Sequence, residues 1–427
     1  MSLESTAQSN LLDPEATGSL AWYKTLTPNG RRTFWACFAG WGLDAVDAQI
    51  YTFIIPALMS AWSLTGAQIG VTITVGWVSS AIGGWLGGIL ADRIGRIRAL
   101  QIAVLWFAGG TLLCAITQSY EQLLVARAAF GLGFGGEWAI GAALVGEVAS
   151  PKYRGTAVGV VHSAYSVGWA VAALLYPLSY AVFPENMAWR ALFAFGFLPA
   201  IFVFYIRRFV DESPMYLENR RRELKEGKSS FLEIFSRPYL VNTILAAVVS
   251  TGIYGATTAI AVWLPTFLKT VRHLSVLNTS AYLMVFILST FVGYVTGAYL
   301  SDRIGRRWNF IIFAVGEAVL AALYTYVPVT DTLMLFLGVP LGICFAGVYG
   351  GVGALMNELF PTRLRGSGIG FCFNFGRGVG TMFGFMVGLL SASMSLGPAI
   401  ALLTACACSL IVIGALLLPE TKGRLLS

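Results

Sequence analysis

"LADRIGR", Leu90–Arg96, ends one long oily stretch of the chain, and "LSDRIGR", Leu300–Arg306, ends another, with Asp92 and Asp302 standing 210 residues apart. A second echo follows the first: "EVASPKYRG", Glu147–Gly155, is answered by "ELFPTRLRG", Glu358–Gly366, 211 residues on. Two echoes at nearly one offset mean that about half of the chain has been duplicated in the same orientation. The reading of everything else follows from what lies between these short polar loops.

What lies between them is apolar. The 427 residues are 57% hydrophobic and 11% charged, and the mean hydropathy is +0.73, too oily for a water-soluble globule. A spanning helix needs about 20 mostly apolar residues. Twelve such segments are predicted, at 33–60, 67–91, 98–117, 121–147, 155–182, 189–208, 239–268, 279–301, 308–328, 331–356, 367–391 and 397–418. The expected organisation is therefore an all-α membrane protein of two six-helix, pseudo-symmetric halves. Its parts are an N-terminal segment at 1–30, a first bundle at 31–206, a linker at 207–237, a second bundle at 238–418 and a tail at 419–427. The first 30 residues are polar and lack a basic start leading into a short apolar core, so no removable leader is expected.

A net charge of +7 and a pI near 9.1 raise the question of nucleic acid. With both termini inside, Arg190, Lys269 and Arg272 fall on the outer side and Arg127 and Arg377 within spans, while every other Lys and Arg falls on the inner side. This is the positive-inside asymmetry. The basic balance thus sets orientation in a plasma (bacterial inner) membrane with cytoplasmic termini, and nucleic acid is not expected as a partner. The six cysteines all fall in apolar segments, where a thiol packs as a small hydrophobe.

Ionisable groups inside a span are costly, by about 2.5 to 3.5 kcal/mol each, and commonly mark a polar pathway. The first segment carries Asp44, Asp47 and Tyr51 on one helical stripe. The fourth carries Arg127 and Glu137 among glycines at 131, 133, 135 and 136, the seventh Tyr254, and the eleventh Asn374 and Arg377. Two buried carboxyls at similar depth repel when both are ionised, so Asp44, Asp47 and Glu137 are candidates to carry a proton. Asp47 and Arg127 form either a structural ion pair or part of the pathway. Arg377 has no acid on its own helix, and a guanidinium near the midplane suits a carboxylate bidentately. Asn374, Arg127, Tyr51 and Tyr254 are expected beside it in the binding site. His162 is expected to be satisfied by hydrogen bonds, and Glu317 to pair within its own half.

The loop Gly88-x-Leu90-Ala91-Asp92-Arg93-x-Gly95-Arg96 resembles the signature between helices 2 and 3 of the major facilitator superfamily, except that Ile97 stands where a basic residue is usual. Arg127-x-x-x-Gly131-x-Gly133 resembles a second motif of that superfamily, and "PETKGR", Pro419–Arg424, its usual tail. The resemblance covers the whole chain and implies alternating access, with Asp92, Arg93, Arg96, Asp302, Arg303 and Arg306 as gating loops. Within the superfamily, Asp44-x-x-Asp47 resembles the aromatic-acid symporters. "GGEWAIGAALVGE" (Gly135–Glu147), "WRALFAFGFLPAIF" (Trp189–Phe202) and "GIGFCFNFGRGVG" (Gly368–Gly380) resemble the sialate and monocarboxylate branch.

The resemblance implies proton-coupled uptake of an organic carboxylate such as sialate, a monocarboxylate or an aromatic acid. The expected partners are that small anion, a proton and the lipid bilayer, with a monomer as working unit. An enzyme is not expected, nor a cofactor, metal or catalytic residue. The alternative is a sugar or polyol transporter of the same superfamily, prompted by "DESPMYL" after the sixth segment and by "PETKGR". Against it, the seventh segment lacks paired glutamines, and a neutral substrate has no need of Arg377. A drug antiporter is disfavoured because the fifth segment lacks a Gly-Pro motif, and an ATP-driven pump because the chain has no phosphate loop.

Overall fold

In the computed structural model the described residues are 20–198, 200–201, 210–226, 230–273, 276–325, 330–391 and 393–424. Twelve helices among them match the twelve oily segments: α1 Pro28–Trp62, α2 Gly66–Ile94, α3 Arg96–Ile116, α4 Tyr120–Val148, α5 Arg154–Val182, α6 Glu185–Phe195, α7 Arg237–Ala261, α8 Val276–Ile304, α9 Arg306–Thr325, α10 Asp331–Leu359, α11 Thr362–Leu390 and α12 Leu396–Leu417. Nine spans among the described residues are long and apolar enough, by length and composition, to cross a membrane.

Local chemistry sets the helix ends. Thr27 caps α1 by accepting from the Gly30 amide at 3.0 Å, ahead of Pro28, whose missing N–H costs nothing in the first turn. Thr65 and Gln68 form a reciprocal capping box on α2, and Ser119 and Thr330 cap α4 and α10. The turns between α2 and α3 and between α8 and α9 are single glycines, Gly95 at φ 105° and Gly305 at φ 100°. Only glycine takes that backbone without strain, which explains the Gly in both copies of the repeat.

The packing carries the duplication. In the first half α2 packs on α4, α3 on α4 and α1 on α5; in the second, α8 packs on α10, α9 on α10 and α7 on α11. The halves meet through α2 on α11 and α5 on α8, two pairs that the repeat exchanges. Gly131 and Gly135 of α4 face backbone of α2 so closely that a side chain at either would collide with it, which is how α2 and α4 approach.

Three expectations are refined. The seventh segment is broken: α7 ends at Ala261 and a short helix, Leu264–Thr270, restarts with Pro265 in its first turn, where proline belongs. The sixth segment starts earlier, at Glu185, and its end at 202–208 lies outside the described residues. The linker carries structure of its own, a helix Pro214–Glu226 and a 3-10 turn Phe231–Phe235. Residues 227–229 lie outside the described set, as do 1–19 of the N-terminal segment. Within that segment Trp22 is buried and donates to the Tyr299 hydroxyl at 2.8 Å, tying it to α8. Cys406 is exposed, unlike the packed thiol expected there.

Candidate functional site

Arg377 projects from α11 toward the junction of the halves and is 1% exposed. Its Nε donates to the Tyr254 hydroxyl of α7 at 3.0 Å and its Nη1 to the Ser80 hydroxyl of α2 at 2.7 Å. Four rings surround the guanidinium: Phe134 and Tyr254 at 5.3 Å, Phe373 at 5.4 Å and Trp77 at 5.7 Å. Ring faces and neutral hydroxyls soften the burial of a cation without neutralising it. No carboxylate of the described residues forms an ion pair with Arg377.

Asp44 of α1 and Glu137 of α4 lie against each other, near enough for their charges to act on one another, and the charge of Arg377 also reaches Asp44. Asp44 is 0% exposed, and neither of its oxygens meets an N–H or a hydroxyl among the described residues. Glu137 reaches across to α1, filling the space that a side chain at Gly40 would need. Two adjacent carboxyls in such surroundings are inexpensive to bury only when they hold a proton between them.

The charge of Arg127 reaches Asp47, but the two side chains do not meet in an ion pair. Asp47 accepts from the Thr111 hydroxyl of α3 at 2.5 Å. Arg127 stacks instead over Tyr51 at 4.2 Å and Phe130 at 4.4 Å. Phe130 stacks on Phe134, which faces Arg377, so two aromatic rings join the two buried arginines. Arg127 and Tyr51 thus form a group of their own, apart from Arg377 and Tyr254. Asn374 packs into the close approach of α11 and α2 at Gly84, with Nδ2 donating to the Gly370 carbonyl at 3.0 Å and its Oδ1 unpartnered.

Two expectations on lone groups are corrected. His162 makes no hydrogen bond among the described residues; aromatic rings surround it, and its Nδ1 is buried without a partner. Glu317 does not pair within its half: both its oxygens are buried and unpartnered on α9. Its place among apolar neighbours, beside Cys344 and away from the junction of the halves, gave no sequence signal beyond its charge.

At the basic end of the bundle, where both repeated loops lie, the halves are latched twice. Asp92 accepts from the Gly366 amide at 3.1 Å and from the Ser367 amide and hydroxyl at 2.7 and 2.6 Å. Asp302 accepts from the Gly155 amide at 3.0 Å and from the Thr156 amide and hydroxyl at 2.5 and 2.7 Å. Asp302 takes these bonds in the first turn of α5, where an anion is favoured, and Asp92 takes the equivalent bonds just past the first turn of α11. Arg96 joins Asp92 at 2.7 Å to Glu147 at 3.1 Å, and Arg365 reaches Glu147 from the other half at 2.9 Å. In the second copy Arg306 joins Asp302 at 2.6 Å to Glu358 at 2.8 Å, and Arg154 reaches Glu358 at 3.1 Å.

Asp92, Arg96, Asp302 and Arg306 take part in this network, whereas the side chains of Arg93 and Arg303 do not. Their side chains are exposed, and only their carbonyls are used, by the Tyr216 hydroxyl at 3.5 Å and the Lys422 ammonium at 2.6 Å. Helical register explains it: one residue past the aspartate points away from the latch. The partners that sequence reasoning did not assign, Glu147, Arg154, Glu358 and Arg365, all lie in the second repeat echo.

The two stretches that prompted the sugar alternative have a structural duty. Glu212 of "DESPMYL" accepts from the Arg96 and Ile97 amides at 3.0 and 3.2 Å, and Glu420 of "PETKGR" from the Arg306 and Arg307 amides at 3.0 and 3.1 Å. Each carboxylate satisfies open amides at the start of α3 or α9. Neither is near Arg377 in the fold.

Comparison with known proteins agrees with this geometry. The sequence profile described as Major Facilitator Superfamily matches residues 37–385 and 283–425. A probable 4-methylmuconolactone transporter of Cupriavidus pinatubonensis (strain JMP 134 / LMG 1197) is 41% identical over 405 residues, covering 94% of each chain. The niacin transporter NiaP of Acinetobacter baylyi (strain ATCC 33305 / BD413 / ADP1) is 30% identical, covering 80% of this chain and 83% of its own. Among solved structures, the proton:xylose symporter XylE bound to 6-bromo-6-deoxy-D-glucose superposes with a TM-score of 0.77 at 19% identity, over 92% of this chain and 97% of that one.

Proposed function

Taking as premise that this chain belongs to the Major Facilitator Superfamily, we propose that it is a secondary transporter that moves an organic carboxylate together with a proton by alternating access. The observation that carries the reading is Arg377, a buried cation at the junction of the halves with no carboxylate partner among the described residues, set near two adjacent carboxyls that form no ion pair among them either, Asp44 and Glu137. A substrate carboxylate completes the pairing that the chain leaves open. Relatives described as transporters of 4-methylmuconolactone and of niacin agree with a ring-bearing acid, which the rings around Arg377 would cover on its faces.

The charge count gives the mechanism its order. An anion entering beside Asp44 and Glu137 is repelled if both are ionised, so a proton on that pair precedes or accompanies it. One anion and one proton add no net charge to the site, while each new charge meets its opposite, the anion Arg377 and the proton the acidic pair, and the halves can rock past it. The basic end is assigned to the cytoplasm from the distribution of Lys and Arg, so the double latch closes the inner side. The sugar alternative finds no support at Arg377, and the likeness to the xylose symporter at 19% identity concerns the fold.

The test is uptake of labelled benzoate, nicotinate, sialate, lactate and xylose into proteoliposomes with and without an inward proton gradient. Gradient-stimulated uptake of one acid, reduced at least about a hundredfold in Arg377→Ala, is expected for loss of a buried charged pairing. Xylose uptake indifferent to the gradient, or an Arg377→Ala protein that still concentrates the acid, would overturn the reading.

A further inference from the structure

His162 stands where α5 meets the other half. Around it lie Trp138 of α4 at 4.8 Å between ring centroids, Tyr349 of α10 at 5.2 Å, Tyr294 of α8 at 5.5 Å in a stacked arrangement, Trp41 of α1 at 5.7 Å and Phe373 of α11 at 6.2 Å. The imidazole is 1% exposed and Nδ1 has no partner among the described residues. Three nearby hydroxyls are committed, Tyr349 to Thr257 at 2.8 Å, Tyr254 to Arg377 at 3.0 Å and Tyr165 to Gln49 at 3.2 Å, while the Trp41 Nε1 is buried without a partner among the described residues, as the imidazole nitrogen is. A buried polar atom left unpaired costs free energy and calls for an explanation. Packing alone does not supply one, since a phenylalanine would fill an aromatic box without leaving a nitrogen unsatisfied.

Phe373 is the common wall. Its ring lies 5.4 Å from the Arg377 guanidinium and 6.2 Å from the His162 ring, and Trp138, itself 4.8 Å from His162, stacks on it at 3.6 Å. Arg377, which lacks a carboxylate partner among the described residues, and His162, whose Nδ1 lacks any, therefore border one aromatic surface. They differ in kind: Arg377 is a permanent cation, while a neutral imidazole offers one donor and one acceptor.

Resting on the carboxylate reading above, we propose that His162 is a specificity-determining residue, the second polar pole of the substrate site. Arg377 holds the carboxylate, and His162 hydrogen-bonds a hydroxyl, carbonyl or ring nitrogen elsewhere on the same ring-bearing acid. The site thereby favours ring acids that carry such a group over the bare ring acid. A site built to hydrogen-bond a substrate group rejects the analogue lacking it, because its own buried atom then stays unpaired.

The experiment is equilibrium binding of labelled benzoate, 4-hydroxybenzoate and nicotinate to the purified full-length protein, wild type, His162→Phe, His162→Gln and Arg377→Ala. Wild type is expected to prefer 4-hydroxybenzoate or nicotinate over benzoate by about tenfold or more, the worth of one net hydrogen bond. His162→Phe keeps the box filled and is expected to bind benzoate within about twofold of wild type while the preference collapses; His162→Gln retains a donor and an acceptor and keeps part of it. Equal affinities of wild type for all three acids, or equal weakening of all three in His162→Phe, would overturn the inference while leaving the carboxylate reading intact. Benzoate binding undiminished in Arg377→Ala would instead sink the carboxylate reading, and the inference with it.

Discussion

Asp44 and Asp47 lie one turn apart on the same helix and carry the same charge, yet the fold gives them different work. Asp47 spends one oxygen on the Thr111 hydroxyl at 2.5 Å, a bond an amide oxygen can also accept. Asp44 has no such donor and faces Glu137. Asp47→Asn is therefore expected to lower proton-driven uptake by less than about threefold, whereas Asp44→Asn removes the group proposed above to share a proton and is expected to lower it by at least about tenfold. Glu137→Gln should resemble Asp44→Asn, and both should retain exchange of labelled for unlabelled acid, which needs no net proton movement. Uptake assays in the three variants decide it: equal damage from Asp44→Asn and Asp47→Asn would show that the pair is not Asp44 with Glu137. The stripe of Asp44, Asp47 and Tyr51 was legible as a polar face of an oily helix. Which acid met which partner was not, because a stripe one turn wide faces two neighbouring helices, α3 and α4.

Among the elements, the starts of α3 and α9 show how sequence far away in the chain finishes a helix. Each begins straight after a positive-φ glycine that leaves its first amides open, and each is capped by a glutamate that lies over a hundred residues downstream, Glu212 or Glu420. Burial opposes ionisation of Glu420, but the amides of Arg306, Lys422, Arg307 and Thr421 outweigh it and hold its carboxyl below the usual glutamate range. A carboxyl lowered on folding stabilises the fold above its unfolded value near 4.3, and this contribution is lost as pH falls through the still lower folded value. The thermal midpoint of the detergent-solubilised wild type should thus fall with acidification below about pH 5 more steeply than that of Glu420→Gln. At neutral pH the variant should be less stable by about 1 kcal/mol, the worth of a helix cap. Parallel midpoint curves from pH 4 to 7 would mean that Glu420 does not hold α9 as a carboxylate. Hydropathy placed the helices, since twenty apolar residues leave few alternatives. It could not reveal these caps, whose donors and acceptors lie in separate loops and carry no periodic pattern; "DESPMYL" and "PETKGR" looked like family marks until their geometry was seen. The break at Ala261 was likewise hidden inside an unbroken apolar run, although Pro265 marked where it would fall.

Across the whole molecule the duplicated sequence becomes a duplicated lock. Asp92 clasps α11 from α2 and Asp302 clasps α5 from α8, each with two amides and a hydroxyl of the opposite half. Behind each stands a glutamate shared by one arginine from its own half and one from the other, Glu147 between Arg96 and Arg365, Glu358 between Arg306 and Arg154. The two echoes in the sequence are the two sides of this lock. Hydrogen bonds to a charged group contribute about 1.5 to 3 kcal/mol each, so neutralising one aspartate should shift the balance between closed and open basic ends by about tenfold or more. If the latches act independently, their shifts multiply in the double variant. Exposed Arg98 and Arg303, one in each half at that end, serve as spin-label sites after replacement by cysteine, in a Cys406→Ser background that removes the one exposed native thiol among the described residues. Distance distributions between the labels should broaden toward longer separations in Asp92→Asn and in Asp302→Asn by similar amounts, and further in the double variant. A double variant no more open than either single would show that the two clasps release together, as one cooperative unit. Unchanged distributions in all three would place the closing force elsewhere, in the α2–α11 and α5–α8 helix contacts themselves.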